Sequence, residues 1–204
     1  MTLSCPLILA SRSPRRQQLL HEAGYSFEVL PADDDVEPKQ TDRTWSPQVL
    51  VRKLARIKVE NVVQKIQNQH LFQSGIVLGA DSVACCHDEI LGKPVDRVDA
   101  RRMLSLLNGS RHYVYSGLCL CRLPDLTFWE QVECTVLVMD RLLDRQIEEY
   151  LNSGLWQGKA GAFGYQDGND WLHIETGSPS NVVGLPMETL AVGLRELAAG
   201  NEKR

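Results

Sequence analysis

Five apolar residues stand in a row at Ile76-Val77-Leu78-Gly79-Ala80, followed at once by Asp81-Ser82. The run is too short for a helix and has no polar face, so it reads as a central strand buried on both sides. A strand of that kind needs helices packed on its sheet, which makes the fold α/β. Ligands of open α/β sheets bind beyond the carboxyl ends of strands, so Asp81, read at that end, is well placed for chemistry. The alternative is that Asp81 caps the following turn.

The flanking pattern agrees. Leu7 to Ala10 is a second short apolar run, followed by Ser11-Arg12-Ser13-Pro14-Arg15-Arg16 and then by Leu19, Leu20 and Ala23 at helical spacing. Ser13 suits an N-cap, Pro14 the first helical position and Gly24 the C-cap, so the segment is strand, tight turn, helix. Phe27 to Leu30 reads as a strand, and Ser46-Pro47 opens a helix that carries Leu50, Leu54, Ile57 and Lys58 and ends near Ile66. Val83 to Ile90 reads as a hairpin ending at Gly92-Lys93-Pro94, Arg97 to Leu107 as a helix stopped by Gly109, and Arg111 to Arg122 with Phe128 to Met139 as a long antiparallel pair. Leu142 to Leu151 is helical, Gly158 to Gly168 a glycine-rich loop, Asp170 to Glu175 a strand and Pro186 to Ala199 a closing helix. No linker or repeat divides the chain, so residues 1–204 are expected to form one domain.

Composition excludes several classes. With 204 residues and 43% hydrophobic content the chain can build a core, and no stretch approaches the about 20 consecutive apolar residues of a membrane span. A net charge of −4 denies it the diffuse positive field of a nucleic-acid binder, so an anionic ligand must meet a local cluster. The amino terminus has no basic residue before its apolar run and arginines just after it, the wrong order for a secretory signal, and a cytoplasmic protein is expected. The six cysteines form no Cys-x-x-Cys pair and read as buried thiols rather than metal ligands.

Several residues carry chemistry. Ser11, Ser13, Arg15 and Arg16 bring hydroxyls and guanidinium groups to a helix N-terminus, an arrangement suited to phosphate, although a solvated helix start has the same composition. Asp81 with Lys58 and Lys93 pairs a carboxylate, able to hold a divalent cation or activate water, with flanking cations. Hydrolysis of a polyphosphate needs that combination. The acidic run Asp33 to Glu37, with Asp35 and Glu37, offers oxygen ligands to Mg²⁺ or Mn²⁺, or is a solvated loop. In Gly158-Lys159-Ala160-Gly161-Ala162-Phe163-Gly164-Tyr165-Gln166-Asp167-Gly168 the small residues admit a ligand to the backbone. Gln166 there offers the donor and acceptor that a uracil or thymine edge presents. The five histidines show no ligand spacing.

Six blocks in order resemble the Maf family of nucleoside triphosphate pyrophosphatases, from about Leu7 to about Leu194. They are Leu9-Ala10-Ser11-x-Ser13-Pro14-Arg15-Arg16, Leu54-Ala55-Arg56-x-Lys58, Gly79-Ala80-Asp81-Ser82, Leu91-Gly92-Lys93-Pro94, the glycine-rich loop through Gln166, and Asn181-Val182-Val183-Gly184-Leu185-Pro186. The resemblance implies an α/β fold with a mixed twisted sheet and flanking helices, elongated and two-lobed with a central cleft, shared with the inosine triphosphate pyrophosphatases. It implies cleavage between the α and β phosphates with a divalent cation, and a homodimer in many members. It makes Asp81 the proton acceptor, places Ser11, Ser13, Arg16, Lys58, Lys93 and Lys159 along the cleft, and makes Arg15, Ser82 and Gln166 the positions that separate family branches.

Arginine, threonine and glutamine at those positions mark the dTTP/UTP branch, and here serine replaces the threonine, which keeps the hydroxyl. The expected function is therefore hydrolysis of dTTP and UTP to the monophosphate and pyrophosphate, with Asp81 and either Asp35 or Glu37 at the metal. Two rivals are a broad or purine-directed pyrophosphatase of non-standard nucleotides and a non-catalytic nucleotide-binding regulator of cell division. No nucleic-acid or membrane partner is expected.

Overall fold

The computed structural model describes residues 5–38 and 45–199, so the amino-terminal residues 1–4 lie outside it. The chain is α/β, with strands β1 (Leu7–Leu9), β2 (Phe27–Val29), β3 (Gly75–Cys86), β4 (Glu89–Leu91), β5 (Arg111–Leu123), β6 (Thr127–Met139) and β7 (Leu172–Thr176). The helices are α1 (Pro14–Glu22), α2 (Pro47–Gln69), α3 (Arg97–Leu107), α4 (Asp144–Ser153), α5 (Pro179–Val183) and α6 (Met187–Ala199). The strand order is β2-β1-β3-β5-β6-β7, with β4 paired to β3 off this path. The chain divides into two compact units, residues 1–81, 116–133 and 184–204 in the first and residues 82–115 and 134–183 in the second.

In the first unit β1 lies parallel to both β2 and β3, with Leu7 opposite Ile76 and Leu9 opposite Leu78. Alternation along these strands sorts the apolar residues into two layers. Leu7, Leu9, Ile76, Leu78 and Ala80 pack with Leu20 of α1 and Leu190, Leu194 and Leu197 of α6. Ile8, Ala10 and Val77 pack with Ala55, Val59, Val62 and Ile66 of α2. Both faces of the sheet are thus covered, as the unbroken apolar run requires. Gly79 lies against α2, where a Cβ would stand 2.6 Å from Val59 Cγ2 and 2.7 Å from the Ala55 carbonyl oxygen. Only glycine lets the helix come so close.

Two local expectations are corrected, at Asp81 and Gly24, and Ser13 keeps its N-cap position with different bonding. β3 does not stop at Ala80 but runs on to Cys86, so Asp81 is interior to the strand. Its polar pair looked like a terminus, yet Val83 to Cys86 continue the ladder, with Ala84 opposite Leu91 and Cys86 opposite Glu89. Ser13 holds the N-cap position of α1 without a side-chain cap; its backbone N–H donates instead to Ser11 Oγ at 3.2 Å. Gly24 follows the Ala23 cap, with φ 76°. By contrast Ser46 caps α2 through Val49 N at 3.4 Å, and α2 extends to Gln69.

In the second unit α3, α4 and the glycine-rich loop close over one apolar cluster that includes Met103, Leu107, Leu137, Ile147, Leu151 and Phe163. Asp96 caps α3 by accepting from Asp99 N at 2.8 Å. Cys85, Cys86, Cys119 and Cys121 are buried free thiols, while Cys5 and Cys134 are half-buried.

Candidate active site

The first unit gathers one charged cluster. Alternation along β3 puts Asp81 on the side of Val77 and Gly79, facing α2. Lys58 lies one turn beyond the buried Leu54 on that helix. Its ammonium donates to Asp81 Oδ1 at 2.5 Å, and both side chains are only 13–14% exposed. The same Nζ reaches Glu37 Oε1 at 2.9 Å. Two carboxylates from distant parts of the chain therefore converge on one positive point.

Arg16 completes the cluster from the first turn of α1. Its Nε donates to the Gly184 carbonyl at 2.9 Å and one terminal nitrogen donates to Ser11 Oγ at 3.1 Å. Burial draws its guanidinium below the usual value, while the fields of Asp81 and Glu37 pull the other way and that of neighbouring Arg15 adds to the fall. Arginine stays charged throughout, because its ordinary value is so high. Ser11 is buried, and Ser13 and Arg15 are half-buried beside it. A polyphosphate would find here two hydroxyls, two guanidinium groups and a helix N-terminus, with a carboxylate held in their field.

Of the two acidic candidates, Glu37 joins Lys58, while Asp35 is exposed and makes no ion pair among the described residues. Arg12 turns to Asp34, with both side chains largely in solvent. The Asp33 carboxylate is held below its usual range by hydrogen bonds from Lys65 and Asn61. The acidic run is therefore split between a solvated ion-pair set and one site residue.

The second unit carries the other candidates. Ser82 follows Asp81 on β3 and is half-buried, and strand alternation turns it to the opposite face. Lys93 is exposed and unpaired among the described residues, in a loop whose Gly92 carbonyl accepts from Gly161 N at 3.0 Å. Gln166 is exposed in the helical turn Tyr165–Asp167. Lys159 is buried, with its ammonium 2.5 Å from Asp167 Oδ2. Asp167 in turn accepts from the Tyr150 hydroxyl at 2.6 Å. Sequence inspection passed over Tyr150 and Asp167, whose partners lie 17 and 8 positions apart on different elements. The Asp167 carboxylate so near Lys159 in a loop of small residues was the available signal.

The family model described as Maf-like protein matches residues 6–197. A dTTP/UTP pyrophosphatase of Rhodopirellula baltica is 50% identical over 198 residues, covering 97% of this chain and 84% of that protein. One of Agrobacterium fabrum is 38% identical over 91% of this chain and 89% of its own. A third, of Ruminiclostridium cellulolyticum, is 37% identical over 97% of both. The solved Staphylococcus aureus Ham1 protein aligns with 66% of this chain and 71% of its own at 13% identity and a TM-score of 0.41, too distant to bear on the fold. Nearly the whole length of the chain, including every cluster described above, falls within the matched span, and the chain belongs to the Maf-like protein family.

Proposed function

We propose that the chain hydrolyses dTTP and UTP between the α and β phosphates, releasing the nucleoside monophosphate and pyrophosphate. The observation that carries this reading is the convergence of Asp81, Lys58, Glu37, Arg16 and Ser11 within one unit. The names of the relatives supply the substrate, and Arg15 and Gln166 agree with the pyrimidine branch. Asp81 is the base that takes a proton from the attacking water. Lys58 holds its carboxylate in place, and Arg16 with Arg15 and Ser11 binds phosphate oxygens whose charge grows as the leaving group departs. Lys93 adds a further cation, and Gln166 reads the pyrimidine edge with its amide.

A divalent cation fits the donor set, because Asp81 and Glu37 already point oxygens at a common positive charge. Those two residues would hold Mg²⁺ or Mn²⁺, which would supply charge neutralisation for the phosphates. The cytoplasm suits the reaction and the buried free thiols, which persist in a reducing compartment. Among the described residues no helix is long and apolar enough to cross a membrane.

The test is pyrophosphate release from dTTP, UTP, dGTP and ATP with Mg²⁺ or Mn²⁺. Asp81→Asn should lower kcat on dTTP by about 10²–10⁴-fold, the usual loss of a general base, with an unchanged circular dichroism spectrum. Turnover retained by that variant would remove Asp81 from the mechanism. Equal rates on all four nucleotides would favour a broad pyrophosphatase, and stabilisation by nucleotide without turnover a regulator.

A further inference from the structure

The turn that carries Gln166 is closed by one buried ring of polar contacts. The Tyr150 hydroxyl donates to Asp167 Oδ2 at 2.6 Å and accepts from Gly164 N at 3.2 Å, so a single phenol on α4 ties down both ends of the turn 164–167. Lys159 Nζ lies 2.5 Å from the same carboxylate oxygen, and its side chain and that of Asp167 are 11% and 6% exposed. Asp167 N also donates to the Gly164 carbonyl at 3.3 Å, which accepts from Asn169 Nδ2 at the same distance. The anchor itself is packed into the core. Ile147 and Leu151 of α4 are buried in the core, and the Tyr150 ring meets Trp171 edge-on at 5.5 Å. A Cβ at Gly164 would stand 2.5 Å from Lys159 Nζ and 2.6 Å from Asp167 Oδ2, so these side-chain ends would have to shift to admit one.

A buried ion pair joined to a phenol is a costly way to close a surface turn unless its geometry is needed. Within the turn the backbone is held on both sides of Gln166, and Gln166 is itself an exposed residue. An amide can choose between uracil and a purine only when its donor and acceptor are fixed in direction, since a mobile one adapts to either pattern. We infer that Tyr150, Asp167 and Lys159 are positioning residues for pyrimidine recognition, acting through Gln166, with Lys159 committed to Asp167 rather than to a phosphate.

This inference rests on Gln166 as the reader of the base, and the experiment separates the two. The kcat and KM values for dTTP and dGTP are measured for wild type, Gln166→Ala, Tyr150→Phe, Asp167→Asn and the Tyr150→Phe/Gln166→Ala pair, with thermal midpoints alongside. Tyr150→Phe should raise KM for dTTP and reduce the dTTP-over-dGTP preference by about tenfold, the order of one hydrogen bond, with kcat on dTTP within about twofold of wild type. Asp167→Asn should act in the same direction. The double variant should show no lower preference than Gln166→Ala alone, because the phenol works only through the amide. If Gln166→Ala relaxes the preference while Tyr150→Phe leaves it intact, or lowers both substrates equally together with the thermal midpoint, the positioning role is overturned and the reader stands. If Gln166→Ala itself leaves the preference unchanged, both fall.

Discussion

His112 shows what one buried side chain does to the response of the protein to acid. It is fully buried on β5, with Nδ1 3.4 Å from the Ser110 carbonyl oxygen and Nε2 without a hydrogen-bond partner among the described residues. Its ring meets Phe163 edge-on at 5.2 Å. Burial lowers its pKa to about 4, against a small opposing pull from the Ser110 carbonyl. The folded protein therefore refuses a proton that the unfolded chain accepts below about 6.5. Stability tied to this residue is complete above that value and is lost as the pH falls from about 6.5 to about 4, by about 3 kcal/mol in all. Urea unfolding from pH 7 to pH 4 should show that loss, and His112→Gln should flatten the pH dependence by the same amount.

Among the elements, the contact of β3 with α2 sets Lys58 against Asp81, the pair at the centre of the proposed reaction. Gly79→Ala would force a methyl group into Val59 and the Ala55 carbonyl, both fixed in the helix. Overpacking of this kind costs about 1–3 kcal/mol, or about 2–4 °C of melting temperature per kcal/mol in a chain of this size. Calorimetry should show the drop, and kcat/KM on dTTP should fall with it as α2 carries Lys58 away from Asp81.

The legibility of the sequence differs sharply between elements. α3 was readable to the residue, because Asp96 caps it, its apolar positions repeat at helical spacing and Asn108-Gly109 end it. β3 was half readable. Its buried part announces itself, but Asp81-Ser82 imitates a strand end, and only the pairing with β4 carries the strand past it. The short α5 has no apolar period to show and went unread. At the site, the cations and Asp81 were visible through the ordered motif blocks. The meeting of Glu37, and not Asp35, with Lys58 was not, since it depends on the path of a loop with no periodicity. The pairing of Lys159 with Asp167 was hidden for a related reason: sequence offers the charge, while the path of the loop decides which carboxylate it meets.

For the whole molecule, ligand binding should register as global stability. A non-hydrolysable α,β-methylene analogue of dTTP at about 100 times its Kd should add about 2.7 kcal/mol, seen as a rise of several degrees in the melting temperature. The corresponding dGTP analogue at equal concentration should add far less, and equal shifts would argue against pyrimidine selection.

The bond from Arg16 to the carbonyl of Gly184 spans 168 positions of chain. A ribosome adding about 5–20 residues per second takes of order ten seconds or more to make that stretch. The guanidinium waits that long for its acceptor, and the first unit, assembled from three separate stretches, cannot close before the last of them emerges. For about half of its synthesis, from position 81 to position 184, a nascent chain thus holds Asp81 while the acceptor that fixes Arg16 is still to be made.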